Sequence, residues 1–155
     1  MKLGGGWLRL AALVALASLS LLPLLPLLGR LLPPLEPLER AADLWFDLHC
    51  HRDPARTLHV LGVPLAVCAR CSGIYFGLGA GAVLRRPHLT PRALRLWVAL
   101  AAAVLIGDVA LETYALHGPW WLLRLITGAL LGYPVGVALA VAILTARKRR
   151  PAMAR

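Results

Sequence analysis

Apolar residues along this chain form four long runs separated by shorter polar segments. The runs are about Trp7 to Leu28, Val67 to Leu84, Leu94 to about Leu116, and Trp120 to Ala146. A helix of about 20 apolar residues crosses the roughly 30 Å hydrocarbon core of a bilayer. The pattern therefore predicts an all-α integral membrane bundle of about four transmembrane helices, with an extracytoplasmic loop that contains cysteine and histidine.

The first run also resembles a secretory signal peptide, because Ala15-Leu16-Ala17 is similar to a cleavage site. The apolar run continues to Leu32, interrupted by Pro23 and Pro26. This continuation favours an uncleaved transmembrane helix.

The polar segments divide the chain into four parts. Residues 1–32 are predicted to form an N-terminal transmembrane helix or signal anchor, and 33–66 an extracytoplasmic loop. Within this loop an interfacial helix is predicted from Leu38 to Leu48. Three transmembrane helices follow in 67–146, and 147–155 form a basic cytoplasmic tail.

The composition confirms that part of the chain requires lipid as its solvent. Of its 155 residues 59% are apolar and only 15% are charged, whereas soluble domains have about 25% charged residues. The net charge of +10 is typical of nucleic-acid binding, but here the basic residues flank apolar runs and lack interleaved aromatic residues. Nucleic acid is therefore excluded as a partner, and membrane lipids are expected.

The distribution of charge predicts the orientation of the bundle. Eleven of the seventeen basic residues lie in three patches without acidic residues: Lys2 and Arg9; Arg85, Arg86, Arg92 and Arg95; Arg147, Lys148, Arg149, Arg150 and Arg155. Basic residues accumulate on the cytoplasmic side of membrane proteins. Both termini are therefore predicted to be cytoplasmic, in the inner (plasma) membrane, with the 29–66 loop outside.

Two glycine ladders predict helix contacts. Glycine recurs every fourth residue at Gly73, Gly77 and Gly81, and again at Gly128, Gly132 and Gly136. Small residues at this spacing allow the backbones of two membrane helices to approach closely. The simpler explanation is that glycine is common in membrane helices.

The three cysteines and an adjacent histidine predict a metal site at the outer mouth of the second run. Cys50 and the pair Cys68 and Cys71 supply three thiolates, and His51 completes a Cys3His shell suited to zinc or another divalent transition metal. His49 and His59 are the other candidates for the fourth ligand. Two alternatives remain open. In the first, Cys68 and Cys71 form a disulfide used in thiol–disulfide exchange that is linked to a quinone-like substrate, with Cys50 as a resolving thiol; in the second, all three cysteines are inert.

Ionisable residues near the outer ends of the third and fourth runs form a candidate catalytic group. Asp108 and Glu112 lie four residues apart on one helix face, and Arg124 is expected to pair with one of them. Either carboxylate would act as a base while Arg124 holds an anion. The alternative is an ion pair that only joins two helices.

Arg56, Arg70 and Tyr75 are candidates for binding an anion such as a lipid phosphate. The guanidinium group offers a bidentate match to phosphate or carboxylate. The alternative for the arginines is ordinary pairing with nearby aspartates. Tyr75 would otherwise anchor the helix at the interface.

These motifs resemble the domain of unknown function 2085 family of small predicted membrane proteins. The similarity lies in "CHRDPARTLHVLG", "VCARCSGIYFG", an aspartate in the third run, and "LRLITG", and it covers about half of the chain. The resemblance implies that the following residues occupy family positions: Cys50, His51, Arg56, Cys68, Arg70, Cys71, Tyr75, Asp108, Arg124, Thr127 and Gly128. Arg52, Thr57 and Val109 depart from the pattern, and the proposed ligands are unaffected. The family implies no activity.

Three functions follow as hypotheses. The first is a metal-dependent membrane enzyme acting on a lipid or another membrane-associated anionic substrate. The second is a non-catalytic protein whose metal clips the outer loop to the second helix. The third is a thiol redox protein using Cys68 and Cys71. Ion transport is disfavoured because the inner halves of the runs contain almost no polar residues.

Overall fold

The computed structural model describes residues 4–32, 34, 36–51, 53–84, 90–114, 118 and 120–145. The fold is mostly helical. Its helices are α1 Gly4–Ser18, α2 Leu25–Leu31, α3 Glu36–Asp47, α4 Ala69–Val83, α5 Pro91–Thr113 and α6 Trp121–Thr145. Two strands, β1 Thr57–Val60 and β2 Val63–Cys68, precede α4. The predicted basic tail 147–155, and Arg85 and Arg86, lie outside the described residues.

Within the described part of the chain, three helical segments are long and apolar enough to cross a membrane. They are Leu10–Leu31, Pro91–Thr113 and Trp121–Thr145, which correspond to the first, third and fourth predicted runs. Helix α4 has 15 residues and is therefore about 22 Å long, shorter than the roughly 30 Å apolar core of a bilayer. The fourth span stays a prediction.

The prediction of an all-α chain is wrong at residues 57–68. Strands β1 and β2 form an antiparallel hairpin, with Thr57 opposite Cys68 and Val60 opposite Val63. Leu61 and Gly62 form its turn with positive φ angles of 52° and 75°, as two-residue hairpin turns require. The second apolar run is therefore part strand, and its helix begins at Ala69 rather than Val67.

The first span is one apolar segment with a 3-10 stretch in its middle. Residues Leu19–Leu24 connect α1 to α2 and contain Pro23, and Pro26 follows in the first turn of α2. Proline removes an N–H donor from the helix and clashes with the preceding turn. The interruption therefore occurs where the prolines are. Helix α3 covers most of the predicted Leu38–Leu48 helix, whose interfacial position stays a prediction.

Helices α4 and α6 pack backbone to backbone along the two glycine ladders. A Cβ atom on Gly77 would lie 2.5 Å from the carbonyl oxygen of Ala129, which is too close for any side chain. The other glycines in equally close contact are Gly73, Gly81, Gly128, Gly132 and Gly136. The predicted use of both ladders for packing is confirmed.

Contacts between residue pairs give the direction of α4, α5 and α6. Gly73 faces Leu125 and Gly81 faces Tyr133, so α4 and α6 are parallel. Trp97, near the start of α5, packs on Tyr133 with ring centroids 5.4 Å apart. Glu112, at the other end of α5, contacts Arg124 near the start of α6, so these two helices are antiparallel.

Two apolar clusters show that α4 is antiparallel to the first span. The Leu16 cluster joins Leu16 to Ala82 and Ala140 at one end of the bundle. The Phe46 cluster comprises Phe46, Cys50, Ala66 and Val67, and Leu22, Cys68, Cys71 and Tyr75 pack against it. The chain therefore approaches the Phe46 cluster along the first span and leaves it along α4.

Candidate functional site

The three cysteines converge from three different elements. Cys50 follows α3, Cys68 ends β2, and Cys71 lies in the first turn of α4. Their Sγ atoms all lie within 4.8 Å of one another, and all three thiols are free. The predicted meeting of the three sulfurs is confirmed.

Local hydrogen bonds turn Cys50 toward the other two cysteines. The N–H groups of His49 and Cys50 both donate to the carbonyl oxygen of Phe46, at 3.0 and 2.8 Å. This turn ends α3 and places Cys50 back against Phe46. The backbone N–H of Cys68 then donates to the Cys50 sulfur at 3.3 Å, so the start of α4 is held to the end of α3.

The sulfur cluster is enclosed by apolar side chains. Phe46 and Val67 are each 1% exposed, and the Phe46 ring contacts Tyr75 edge to face with centroids 5.7 Å apart. Sequence reasoning did not identify Phe46, although its spacing from Ala42 places both residues on one face of α3. Its ring shields one side of the sulfur cluster from solvent.

The donor set fits a soft divalent metal. Two sulfurs bound to one zinc ion lie about 3.8 Å apart, since the Zn–S bond is about 2.3 Å long and the angle is tetrahedral. The present spacing of up to 4.8 Å therefore requires only a small contraction. An ion here would be held by Cys50, Cys68 and Cys71.

The environment of Cys68 favours its thiolate. A hydrogen bond with the Cys71 side chain is the main cause that lowers the pKa of Cys68 to about 5, and backbone and Cys50 hydrogen bonds add to it. The thiolate is the form of cysteine that binds metals and attacks electrophiles.

None of the three described histidines, His49, His51 and His59, joins the sulfur cluster. Among the described residues the group of ligands within 4.8 Å consists of the three cysteines. His51 and His59 are exposed, and Nδ1 of His49 is 2.9 Å from the carbonyl oxygen of Trp45. The identity of the fourth ligand therefore stays a prediction.

A second polar cluster forms around the carboxylate of Glu112. Arg124 contacts it through both Nε, at 3.0 Å, and Nη2. Nη2 of Arg70 lies 3.3 Å from it and Nη2 of Arg56 lies 3.6 Å away. Arg70 also donates to Asp108. We call Arg56, Arg70, Arg124, Asp108 and Glu112 the arginine cluster.

The arginine cluster clarifies several predicted roles. Arg124 pairs with Glu112, one of its two expected partners. Arg56 and Arg70 contact carboxylates here, Arg56 also pairing with Asp53 at 3.0 Å. Tyr75 packs against the Phe46 cluster instead. The catalytic and anion-binding roles of all these residues stay predictions.

The two clusters are connected through the Cys68–Cys71 segment. Arg70 lies between the two cysteines along the chain, yet its guanidinium reaches Asp108 of α5 while the sulfurs pack near Phe46 of α3. Neither Asp108 nor Glu112 belongs to the sulfur group among the residues described. The carboxylates and the sulfurs thus form two adjoining sites.

Comparison with known proteins places the chain in a family. Residues 50–138 match the family described as "Predicted membrane protein (DUF2085)". The chain belongs to this DUF2085 family. The matched region contains all three cysteines and the whole arginine cluster, so both adjoining sites lie within the family domain.

The DUF2085 chain is also similar to an uncharacterized protein of Methanocaldococcus jannaschii, with 44% identity over 39 residues. This match spans 25% of the present chain and 25% of the relative. No solved structure matches the chain.

Proposed function

We propose that this DUF2085 protein binds a zinc ion through Cys50, Cys68 and Cys71 at the extracytoplasmic end of its helical bundle. The observation that carries the proposal is the convergence of three free thiols, from three separate elements, within 4.8 Å. Thiolates are preferred ligands of zinc. His51, which follows Cys50, is the proposed fourth ligand.

The proposed location is the inner (plasma) membrane, with four spans and both termini in the cytoplasm. The basic patches support this orientation. The direction of α4 supports a fourth crossing, because α4 is antiparallel to the first span and parallel to α6. Strand β2 is the extension of α4 toward the outer side.

The proposed substrate is a lipid or another anionic molecule of the outer membrane surface. Bound zinc would supply a Lewis acid that polarises an oxygen atom. Asp108 or Glu112 would accept a proton, and Arg124 would hold negative charge together with Arg56 and Arg70. Tyr75, beside the sulfurs, would donate a hydrogen bond to the anion.

A structural clip is the simpler version of the same proposal. A zinc ion bound by the three cysteines would tie the end of α3 and strand β2 to the start of α4. A closed shell of four protein ligands is typical of structural zinc, whereas catalytic zinc retains one position for water. The role of His51 therefore separates the two versions.

Thiol–disulfide exchange is the second candidate function. It is favoured by the lowered pKa of Cys68, about 5, and by the proximity of its sulfur to that of Cys71. The Cys68 thiolate would attack a substrate disulfide and release one thiolate. Cys71 would then displace the other, leaving a Cys68–Cys71 disulfide, and a two-electron donor such as a quinol would have to reduce this disulfide back to the two thiols.

Metal analysis of the purified full chain tests the zinc proposal. We expect one zinc ion per chain, lost in both Cys50→Ser and Cys68→Ser and retained in His59→Ala, whose side chain is exposed on β1. A metal-free protein with a Cys68–Cys71 disulfide would contradict the proposal and support exchange.

The Asp108→Asn variant then separates enzyme from clip. If the protein is an enzyme, a growth phenotype of the deletion strain is not complemented by this variant, although zinc content and thermal stability are maintained. Full complementation would favour the clip.

A further inference from the structure

The carboxylate of Glu112 has more cationic partners than one carboxylate usually has. Its two oxygens accept hydrogen bonds from Nε and Nη2 of Arg124. The Nη2 atom of Arg70 lies 3.3 Å from the carboxylate, and the Nη2 atom of Arg56 lies 3.6 Å from it. One bidentate arginine already matches the geometry of a carboxylate. Three guanidinium groups around one point therefore suit an anion that has more oxygen atoms than a carboxylate.

The charges of the arginine cluster do not balance. Its three arginines face two carboxylates, Asp108 and Glu112, which leaves one surplus positive charge within the set. Asp53 offsets this charge only from the periphery, because Arg56 is the arginine of the cluster that it contacts and its side chain is 40% exposed. Its carboxylate also accepts a hydrogen bond from the N–H of Ala55. A dianion in place of the Glu112 carboxylate would remove the surplus.

Arg70 has a donor available for such an anion. Its Nε is buried and has no hydrogen-bond partner within the part of the chain that the structure describes. A buried donor without a partner destabilises the fold, because it has lost its hydrogen bonds to water. A phosphate group has three terminal oxygens, so it offers one acceptor more than a carboxylate.

The cluster is open on one side. The exposed fraction of the side chains rises from 3% for Arg124 and 11% for Glu112 to 18% for Arg70 and 53% for Arg56. Glu112 is also the second-to-last residue of α5, so its side chain can turn away from the bundle. An anion can therefore reach the buried guanidinium of Arg124 along the route that Glu112 leaves.

We propose that Arg56, Arg70 and Arg124 form a binding site for a dianionic phosphate group, and that Glu112 is the internal ligand which this group displaces. The group belongs to a phosphate monoester of a lipid headgroup or to free phosphate. The inference rests on the anionic-substrate part of the proposed function and is independent of zinc.

Calorimetric titration of the detergent-purified full chain with inorganic phosphate tests this site. In Glu112→Gln the competing carboxylate is lost, and we expect phosphate to bind at least tenfold more tightly than to the wild type. Asp53→Asn is the matched control, since it removes a carboxylate charge that pairs with Arg56 at the periphery of the cluster. The phosphate affinity of this variant should differ from that of the wild type by less than threefold. Equal affinities of Glu112→Gln and the wild type would overturn the proposal.

A second measurement covers the case in which Glu112→Gln does not fold. Phosphate should then raise the melting temperature of the wild type but not of Arg56→Gln, whose side chain is half exposed; no effect on the wild type would overturn the proposal. Zinc content is determined on the same samples, so a protein that holds zinc without binding phosphate refutes this inference alone.

The source of the phosphate group is distinguished in lipid nanodiscs. Stabilisation of the wild type by phosphatidic acid but not by phosphatidylglycerol, a monoanionic diester, supports a lipid monoester. Stabilisation by inorganic phosphate alone supports a soluble ligand. Equal stabilisation by both lipids, with no effect of phosphate, would overturn the preference for a dianion.

Discussion

Cys68 lies where strand β2 meets helix α4, and its neighbours determine its reactivity. The Cys71 side chain stabilises the Cys68 thiolate by a hydrogen bond, and the Cys50 side chain contributes a further one. A single sulfur atom therefore takes part in all three proposed chemistries, as a zinc ligand, as part of a clip, or as a nucleophile.

Alkylation measures this thiolate directly. In chelator-treated protein we expect Cys68 to react with iodoacetamide at a rate that is nearly constant at neutral pH and falls as the pH decreases through about 5, because only the thiolate reacts. In Cys71→Ala the main stabilising hydrogen bond is lost, so the midpoint should rise toward 9. Mass spectrometry of the labelled peptide gives both rates, and coincident midpoints would refute the explanation.

Single residues also show how far the site follows from the sequence. The cysteines could be predicted because ligand type and spacing are sufficient to indicate a soft metal. The partners of Arg56 and Arg70 could not be predicted, because they depend on how the segment before the hairpin and the start of α4 pack against α5. Asp53 was recognisable as a turn residue before Pro54, and its ion pair with Arg56 depends on that turn.

Helices α4 and α6 pack closely because glycines at their contact allow the two backbones to touch. Because Gly77 sits against the Ala129 backbone, the distance between the two helices is set by the peptide groups. The start of α4, which supplies Cys71 and Arg70, is thereby positioned relative to Arg124 on α6. The precision of both clusters depends on this contact.

A matched pair of glycine substitutions tests the contact. Gly77→Ala places a Cβ 2.5 Å from the Ala129 oxygen and should destabilise the protein by about 1–3 kcal/mol, as expected for overpacking. A Cβ at Gly107 would meet nothing within 4 Å, so Gly107→Ala should be neutral or stabilise α5 by up to about 1 kcal/mol. Thermal unfolding followed by tryptophan fluorescence reports both values.

The order of these two melting temperatures tests whether the glycine ladder determines the packing of α4 against α6. If Gly107→Ala melts at or below the temperature of Gly77→Ala, the ladder does not determine the packing.

At the level of elements, hydropathy predicts the long helices but not the hairpin. Residues 63–68 are apolar and continue without a break into α4, and a short apolar run does not distinguish strand from helix. The informative signal was Gly62, because glycine readily adopts the positive φ that a two-residue hairpin turn requires. The sequence similarly predicts that Phe46 lies in a helix, but it does not show which residues pack against Phe46. The structure shows that these include Ala66 and Val67 of β2.

At the scale of the whole molecule, the distribution of basic residues along the sequence can be compared with the directions of the helices. The directions of the first span, α4, α5 and α6 agree with one arrangement, in which the sulfur and arginine clusters lie at the end of the bundle opposite Arg92 and Arg95 of α5. Such an arrangement would expose both clusters to substrates outside the cytoplasm.

Labelling in intact cells tests this orientation. Leu61 is 84% exposed at the tip of the hairpin, so Leu61→Cys should react with a membrane-impermeant maleimide before the cells are opened. The wild type, with its three clustered cysteines, measures background labelling. A fluorescent protein fused to the C-terminus should fluoresce, as expected for a cytoplasmic end. Labelling of Leu61→Cys only after permeabilisation would refute the orientation.

The position of Arg70 between two sulfur donors has a consequence for how this protein can vary. Successive residues of a helix are rotated by about 100°, so an insertion or deletion in the Cys68–Cys71 segment would swing Arg70 away from Asp108 as it moved the sulfurs apart. The spacing of one motif thus determines the orientation of side chains in two chemically unrelated sites. A substitution can change the side chains of one site alone, whereas a change in spacing alters the geometry of both sites together.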